Sequence, residues 1–129
     1  MTVYLDNASS TVVCPEAVRK AGEIMTENYA NPSSSHAFGR LAKKALEEAR
    51  RRVAEAAGAE PDEIFFTSGG TESNNWAVIN GALGAARRGK HIISSGAEHD
   101  SVRKSLDILE SRGFEITRAA PRPDGSISP

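Results

Sequence analysis

The chain has 129 residues, with 16 basic and 17 acidic side chains, a formal net charge of −1 and a single cysteine, Cys14. That length suffices for one domain with a sizeable core, and the near-neutral balance offers no basic field for a nucleic-acid backbone. Cys14 alone excludes an internal disulfide framework and any multi-cysteine metal site.

Val3-Tyr4-Leu5 reads as a short extended arm ended by Asp6-Asn7. A helix is predicted from Pro15, since proline suits a first turn, with Val18, Ala21, Ile24 and Met25 on one face. It stops before the turn-forming run Asn31-Pro32-Ser33-Ser34-Ser35. The next helix is expected from about His36 to Ala57, with Leu41, Ala45, Ala49, Val53 and Ala56 as its stripe and Gly58 as its stop. Arg50-Arg51-Arg52, directly after Glu47-Glu48, reads as a solvated face of that helix. Ile64-Phe65-Phe66 is predicted to be a buried strand, followed by Gly69-Gly70 and a helix carrying Ala77, Val78, Ala82 and Ala85. Lys90 to Ser94 is a second strand, with Gly96-Ala97-Glu98-His99 as its exit loop. Val102, Leu106 and Leu109 mark a helix stopped by Gly113, and Phe114 to Thr117 is a third strand. Strands alternating with helices imply an α/β domain with parallel strands. After the turn at Pro121 to Gly125, Ser128-Pro129 reads as the start of another helix, so the chain is expected to stop within a larger pattern. No apolar run approaches the roughly 20 residues that span a bilayer. The opening MTVYLDN lacks the regions of a signal peptide, so a soluble cytoplasmic protein is expected.

Ligands of parallel α/β sheets bind beyond the carboxyl ends of the strands. Two exit loops there carry capable residues. Ser68-Gly69-Gly70-Thr71 can present backbone N–H groups and a hydroxyl to a phosphate at a helix start. Glu98-His99 brings an imidazole to the same edge. A bland account fits each: Gly-Gly as a tight turn, His99 as a structural loop histidine. His36 reads as a helix-start residue, His91 as a strand residue, Trp76 as core or interface, and Cys14 as incidental. The turn matches neither a Walker loop nor the GxGxxG fingerprint, and no histidine or cysteine lies at metal-ligand spacing from His99.

YLDNASST at the start, NPSSSHAFGR at 31–40, FTSGGTESNN at 66–75 and GKHIISSGAEHDSV at 89–102 resemble the cysteine desulfurase family. These are pyridoxal-phosphate enzymes of the class V aminotransferase group. The resemblance runs from Tyr4 to about Ile127, and its most specific pieces are TSGGTESNN and AEH. It implies the N-terminal part of a three-layer α/β/α transferase of fold type I. Residues 1–15 would be an arm belonging to the small domain, and 16–129 part of the large cofactor-binding domain. It makes Gly70 and Thr71 the binders of the cofactor's phosphate and His99 the residue stacked on its ring. Asn7, Ala8 and Thr11, with the segment from Asn31 to His36, would lie near the mouth of the site.

The implied reaction takes sulfur from L-cysteine onto an enzyme cysteine as a persulfide, leaving L-alanine, for iron–sulfur cluster assembly or tRNA thiolation. A homodimer, an iron–sulfur scaffold or other sulfur acceptor, and the remainder of the polypeptide or a second chain are the implied partners. The Schiff-base lysine, the aspartate at the pyridine nitrogen, the substrate-binding arginine and the persulfide cysteine of the family have no counterpart here. The chain alone is therefore expected to be inactive, and its three strands are expected not to form one continuous sheet. Another class V aminotransferase or lyase, or a non-catalytic module binding a phosphorylated ligand or a partner protein, would also suit these residues.

Overall fold

The computed structural model describes residues 2–128. The chain divides into two compact units, Met1–Phe65 and Phe66–Pro129.

In the first unit, the arm turns at Asp6, whose carbonyl accepts from the Ser9 and Ser10 amides, and Tyr4 Oη lies 2.9 Å from Ser10 Oγ. Helix α1 spans Pro15–Glu27, with Cys14 as its extended cap residue and proline in the first turn, as predicted. It buries no residue. Helix α2 spans Ala37–Ala57; His36 caps it, Nδ1 accepting from the Gly39 N–H at 3.3 Å, and Gly58 closes it at φ 67°. The expected stripe of α2 needs correction. Leu41, Ala49, Val53 and Ala56 are exposed, whereas Gly39, Ala42 and Ala54 are the buried residues. The physical reason lies in what packs there. The short 3-10 turn Pro61–Glu63, closed by a Glu60–Glu63 capping box, returns against α2, and Arg50 Nε donates to the Ile64 carbonyl at 3.2 Å. The turn therefore claims a face of α2 other than the most apolar one.

The strand expected at Ile64 to Phe66 is not formed. Ile64 has extended dihedrals of −97° and 119°, but no described strand pairs with it, and Phe65 and Phe66 are exposed. Extended backbone becomes a strand only with a ladder partner.

The second unit begins with helix α3, Gly70–Asn75, continues through a π-helical stretch, Trp76–Asn80, and finishes as helix α4, Gly81–Ala85. One uniform helix was the expectation. The wider turn shifts the sheltered side: Val78, Ile79, Ala82 and Ala86 are half-buried, while Ala77 and Ala85 are exposed. Strand β1, His91–Ser95, pairs in parallel with strand β2, Glu115–Ala119, from His91 opposite Glu115 to Ser95 opposite Ala119. Helix α5, Asp100–Ser111, connects them. A parallel pair needs such a crossover, which is how the predicted β-α-β order is met. Leu106, Leu109 and Phe114 form the buried apolar centre, each side chain contributing about 1.5–3 kcal/mol on full burial. Arg118 of β2 ties the ladder to α5, its guanidinium 2.9 Å from Asp107 and 3.3 Å from Glu110. The turn expected at 121–125 is present, with the Gly125 amide donating to the Arg122 carbonyl at 2.8 Å. The helix start expected at Ser128-Pro129 lies partly outside the described residues.

Candidate functional site

The Gly-Gly turn leads directly into α3. Its shape is fixed by two sets of side-chain bonds. Glu72 reaches back to accept from the Ser68 N–H at 2.6 Å and the Ser68 hydroxyl at 2.8 Å. Thr67 Oγ1 donates to the Gly69 carbonyl at 3.2 Å and lies 2.7 Å from Ser73 Oγ. These bonds hold the Glu72 carboxyl below the usual carboxylate range, the Ser68 amide acting first and its hydroxyl second. Glu72 thus stays ionised and occupies the Ser68 donors.

The amides of Gly70, Thr71 and Glu72 are left ahead of the first intrahelical bond, which runs from the Ser73 N–H to the Gly69 carbonyl at 3.1 Å. Gly69, as the cap residue, has no side chain to accept from them. Such a group of donors at a helix start suits an anion.

Neither glycine of this turn is held by a steric need. A tight turn needs glycine where φ is positive, but the glycines in the left-handed region are Gly58, Gly113 and Gly125. Gly69, at φ 164°, has an extended backbone open to any residue. A Cβ built on Gly69 or Gly70 meets no atom within 4 Å. Neither conformation nor packing among the described residues requires these two glycines.

His99 is the cap residue of α5, and its Nδ1 accepts from the Ser101 N–H at 3.1 Å. Its ring is exposed. Ser101, which is buried, also places Oγ 2.8 Å from that Nδ1 and accepts from Asn74 Nδ2 at 2.8 Å. Asn75 and Ser105 make a second link between α3 and α5, with Ser105 Oγ 2.6 Å from Asn75 Oδ1. Asn74 stands three residues beyond Thr71 on α3, so the two share a helix face. The structure therefore joins the Gly-Gly turn and the His99 loop through one pair of hydrogen bonds. The sequence pattern indicated both loops; it did not indicate Asn74, Asn75, Ser101 or Ser105. Polar residues recurring on α3 and α5 at helical spacing were the only available signal.

His91 Nε2 is 2.8 Å from Thr117 Oγ1 across the β1–β2 ladder, a strand role as expected. Asn7, Ala8 and Thr11, and the run from Asn31 to His36, belong to the first unit. Asn31 folds its own turn, Oδ1 accepting from the Ser33 N–H at 2.9 Å. Between α1 and α2 of that unit lies a groove of about 900 Å³, with Ile24, Met25, Tyr29, Ala42 and Leu46 on its walls. It contains none of Gly70, Thr71 or His99. No group of three metal-ligating side chains occurs among the described residues.

The sequence profile of the family "Aminotransferase class-V" matches residues 3–129. The chain belongs to that family. Among class-V relatives, it is 46% identical over 127 residues to "Cysteine desulfurase IscS" of Methanosarcina thermophila, covering 98% of this chain and 31% of that protein. It is equally 46% identical over 127 residues to the protein of that name from Dictyoglomus turgidum, covering 98% of this chain and 32% of the relative. A solved structure described as "SspA in complex with cysteine" superposes with a TM-score of 0.85 at 37% identity, covering 98% of this chain and 37% of that one. The chain thus spans about a third of the length of the curated relatives it matches. The α/β class expected from the class-V resemblance holds, and the fold is that of the pyridoxal-phosphate transferases of fold type I.

Proposed function

We propose that this chain supplies the phosphate-binding part of a pyridoxal-phosphate-dependent cysteine desulfurase. The whole protein would convert L-cysteine to L-alanine and pass the sulfur, as a persulfide on an enzyme cysteine, toward iron–sulfur cluster assembly or tRNA thiolation. The observation that carries the reading is the hydrogen-bonded link through Asn74 and Ser101, which brings the turn before α3 and the His99 loop of α5 together. The relatives' names and the neighbour solved with cysteine favour this substrate over other class-V chemistry.

When bound, pyridoxal phosphate supplies an electron sink for the charge left at the substrate Cα. The residues of this chain hold and orient it. Gly70 and Thr71 donate backbone N–H groups to the phosphate, and the Thr71 hydroxyl adds a third donor. The dipole of the helix start favours the same negative charge. Glu72 keeps the turn in shape by holding Ser68. His99 offers the face of its imidazole to the pyridine ring and is the residue of this chain closest to the chemistry. The arm at 1–15 belongs to the small domain, the working protein is a cytoplasmic homodimer, and a scaffold or other acceptor protein receives the sulfur.

Titration with pyridoxal 5′-phosphate, followed by absorbance and fluorescence, tests the assignment in the whole protein. Thr71→Val keeps the shape of the side chain and removes its hydroxyl. It is expected to weaken binding by about one hydrogen bond to a charged group, roughly 1.5–3 kcal/mol. An unchanged affinity would remove Thr71 from the site.

A further inference from the structure

His99 has two ring nitrogens, and the hydrogen bond at one decides which carries the proton of the neutral ring. The Ser101 N–H points at Nδ1 from 3.1 Å. A proton on Nδ1 would face that N–H directly, so Nδ1 is the accepting nitrogen and the proton belongs on Nε2. The Ser101 hydroxyl strengthens the choice. Its oxygen accepts from Asn74 Nδ2 at 2.8 Å, which turns its own hydrogen away from Asn74 and toward Nδ1, also 2.8 Å distant. Ser101 is 5% exposed, so this relay is shielded from competing water.

We propose that Asn74 and Ser101 are positioning residues for His99. Their relay holds the imidazole as the Nε2–H tautomer in one orientation and couples the ring to the helix that carries Thr71. The inference rests on the cofactor reading above for its meaning, because a stacked ring and a phosphate cradle must keep a fixed separation to hold one rigid ligand. The relay supplies that spacing. Asn74 moves with the phosphate turn on α3, and Ser101 moves with the ring on α5.

The test is made on the ¹⁵N-labelled protein without cofactor, by long-range ¹H–¹⁵N correlation of the imidazoles, with His99→Gln identifying the His99 signals. The expected pattern has the proton on Nε2, with the two ring nitrogens well separated in shift. Ser101→Ala and Asn74→Ala keep the backbone N–H at Nδ1 and remove only the share of the hydroxyl, so each should draw the two shifts part of the way toward one another. Ser101→Thr, which keeps the hydroxyl, should restore the wild-type separation. Far-UV circular dichroism shows that each variant retains its helices. A proton on Nδ1 in the wild type, or unchanged shifts in both alanine variants, overturns the inference. Titration of His99→Gln with pyridoxal 5′-phosphate tests the cofactor reading separately. Unchanged affinity there overturns that reading whatever the tautomer, and a misplaced proton overturns the relay whatever the affinity.

Discussion

Under the proposed phosphate role, function and stability make opposite demands on Gly70. Alanine there meets no atom within 4 Å and needs no left-handed backbone. Gly70→Ala should therefore leave the fold intact or stabilise it by up to about 1 kcal/mol through the unfolded chain. The added methyl group would stand where the phosphate approaches, so the same variant should bind pyridoxal 5′-phosphate more weakly. Thermal unfolding and cofactor titration of one preparation would show the two effects diverge; equal losses in both would make Gly70 a structural glycine after all. Gly39 predicts the reverse. A Cβ there would lie 2.3 Å from the Ser34 carbonyl oxygen, so Gly39→Ala must push the 31–36 turn off α2. A cost of about 1–3 kcal/mol is expected, read as a lower denaturation midpoint. The turn at Gly69-Gly70 and the loop at His99 were legible in the sequence because turn chemistry is local. Asn74 and Ser101 were not, because they partner each other from different helices, and Gly39 was not, because its contact with Ser34 depends on how the preceding turn folds back.

Elements were legible where their own residues suffice to form them. Pro15 opens α1, His36 and Gly58 bracket α2, and the spacing of Leu106 and Leu109 locates α5. The segment at Ile64 to Phe66 failed as a strand because its apolar character could suggest burial but could not supply a neighbour. The acidic and basic run of α2 behaves as a solvated face at Glu47, Arg51 and Arg52, whereas Arg50 is half-buried against the Ile64 carbonyl. Glu48 accepts from Arg51 and Arg52, at 2.9 and 2.7 Å, and these bonds, Arg51 first, lower its pKa from 4.5 to about 2. A carboxyl lowered on folding contributes stability above its unfolded pKa and loses it as pH falls through the folded value. The Glu48 contribution should thus be complete above pH 4.5 and vanish toward pH 2. A carboxyl ¹³C titration of Glu48, compared with Glu48→Gln melts across that range, would check it. Because the group is open to solvent, added salt should erode the effect. A Glu48 titrating with the ordinary glutamates would mean that the two arginine bonds do not persist in solution.

Across the whole molecule, the apolar residues are divided unevenly. The second unit centres on Leu106, Leu109 and Phe114, whereas the buried residues of the first are Gly39, Ala42 and Ala54. Small side chains bury little apolar area, and the first unit leaves Leu5 at 86%, Val12 at 95% and Met25 at 76% exposure. Ile93, on β1 of the second unit, is 73% exposed. Large apolar side chains left this exposed suit contact with further protein. The protein is expected to bind the dye ANS in native buffer without denaturant, and Val12→Ser with Met25→Gln should reduce the signal. Fluorescence no higher than that of a well-packed globular protein would show that these side chains are covered in solution.

The π-helical stretch sets the angular phase of everything that follows it. Asn74, Val78, Ala82 and Ala86 recur every four residues, and all are half-buried. At 3.6 residues per turn, each such step overshoots a full circle by about 40°, so three steps would carry Ala86 well off the line of Asn74. The wider winding at Trp76–Asn80 takes back part of that overshoot and keeps the four on one side. A π turn is in effect an α-helix with one residue inserted. Deleting Ala77 should therefore leave the phase nearly unchanged, whereas uniform winding at full length would carry Ala82 about 80° past the line of Asn74. Under that uniform winding Asn74 would swing away from Ser101, and the cradle would lose its alignment with the ring although no residue touching either had been changed.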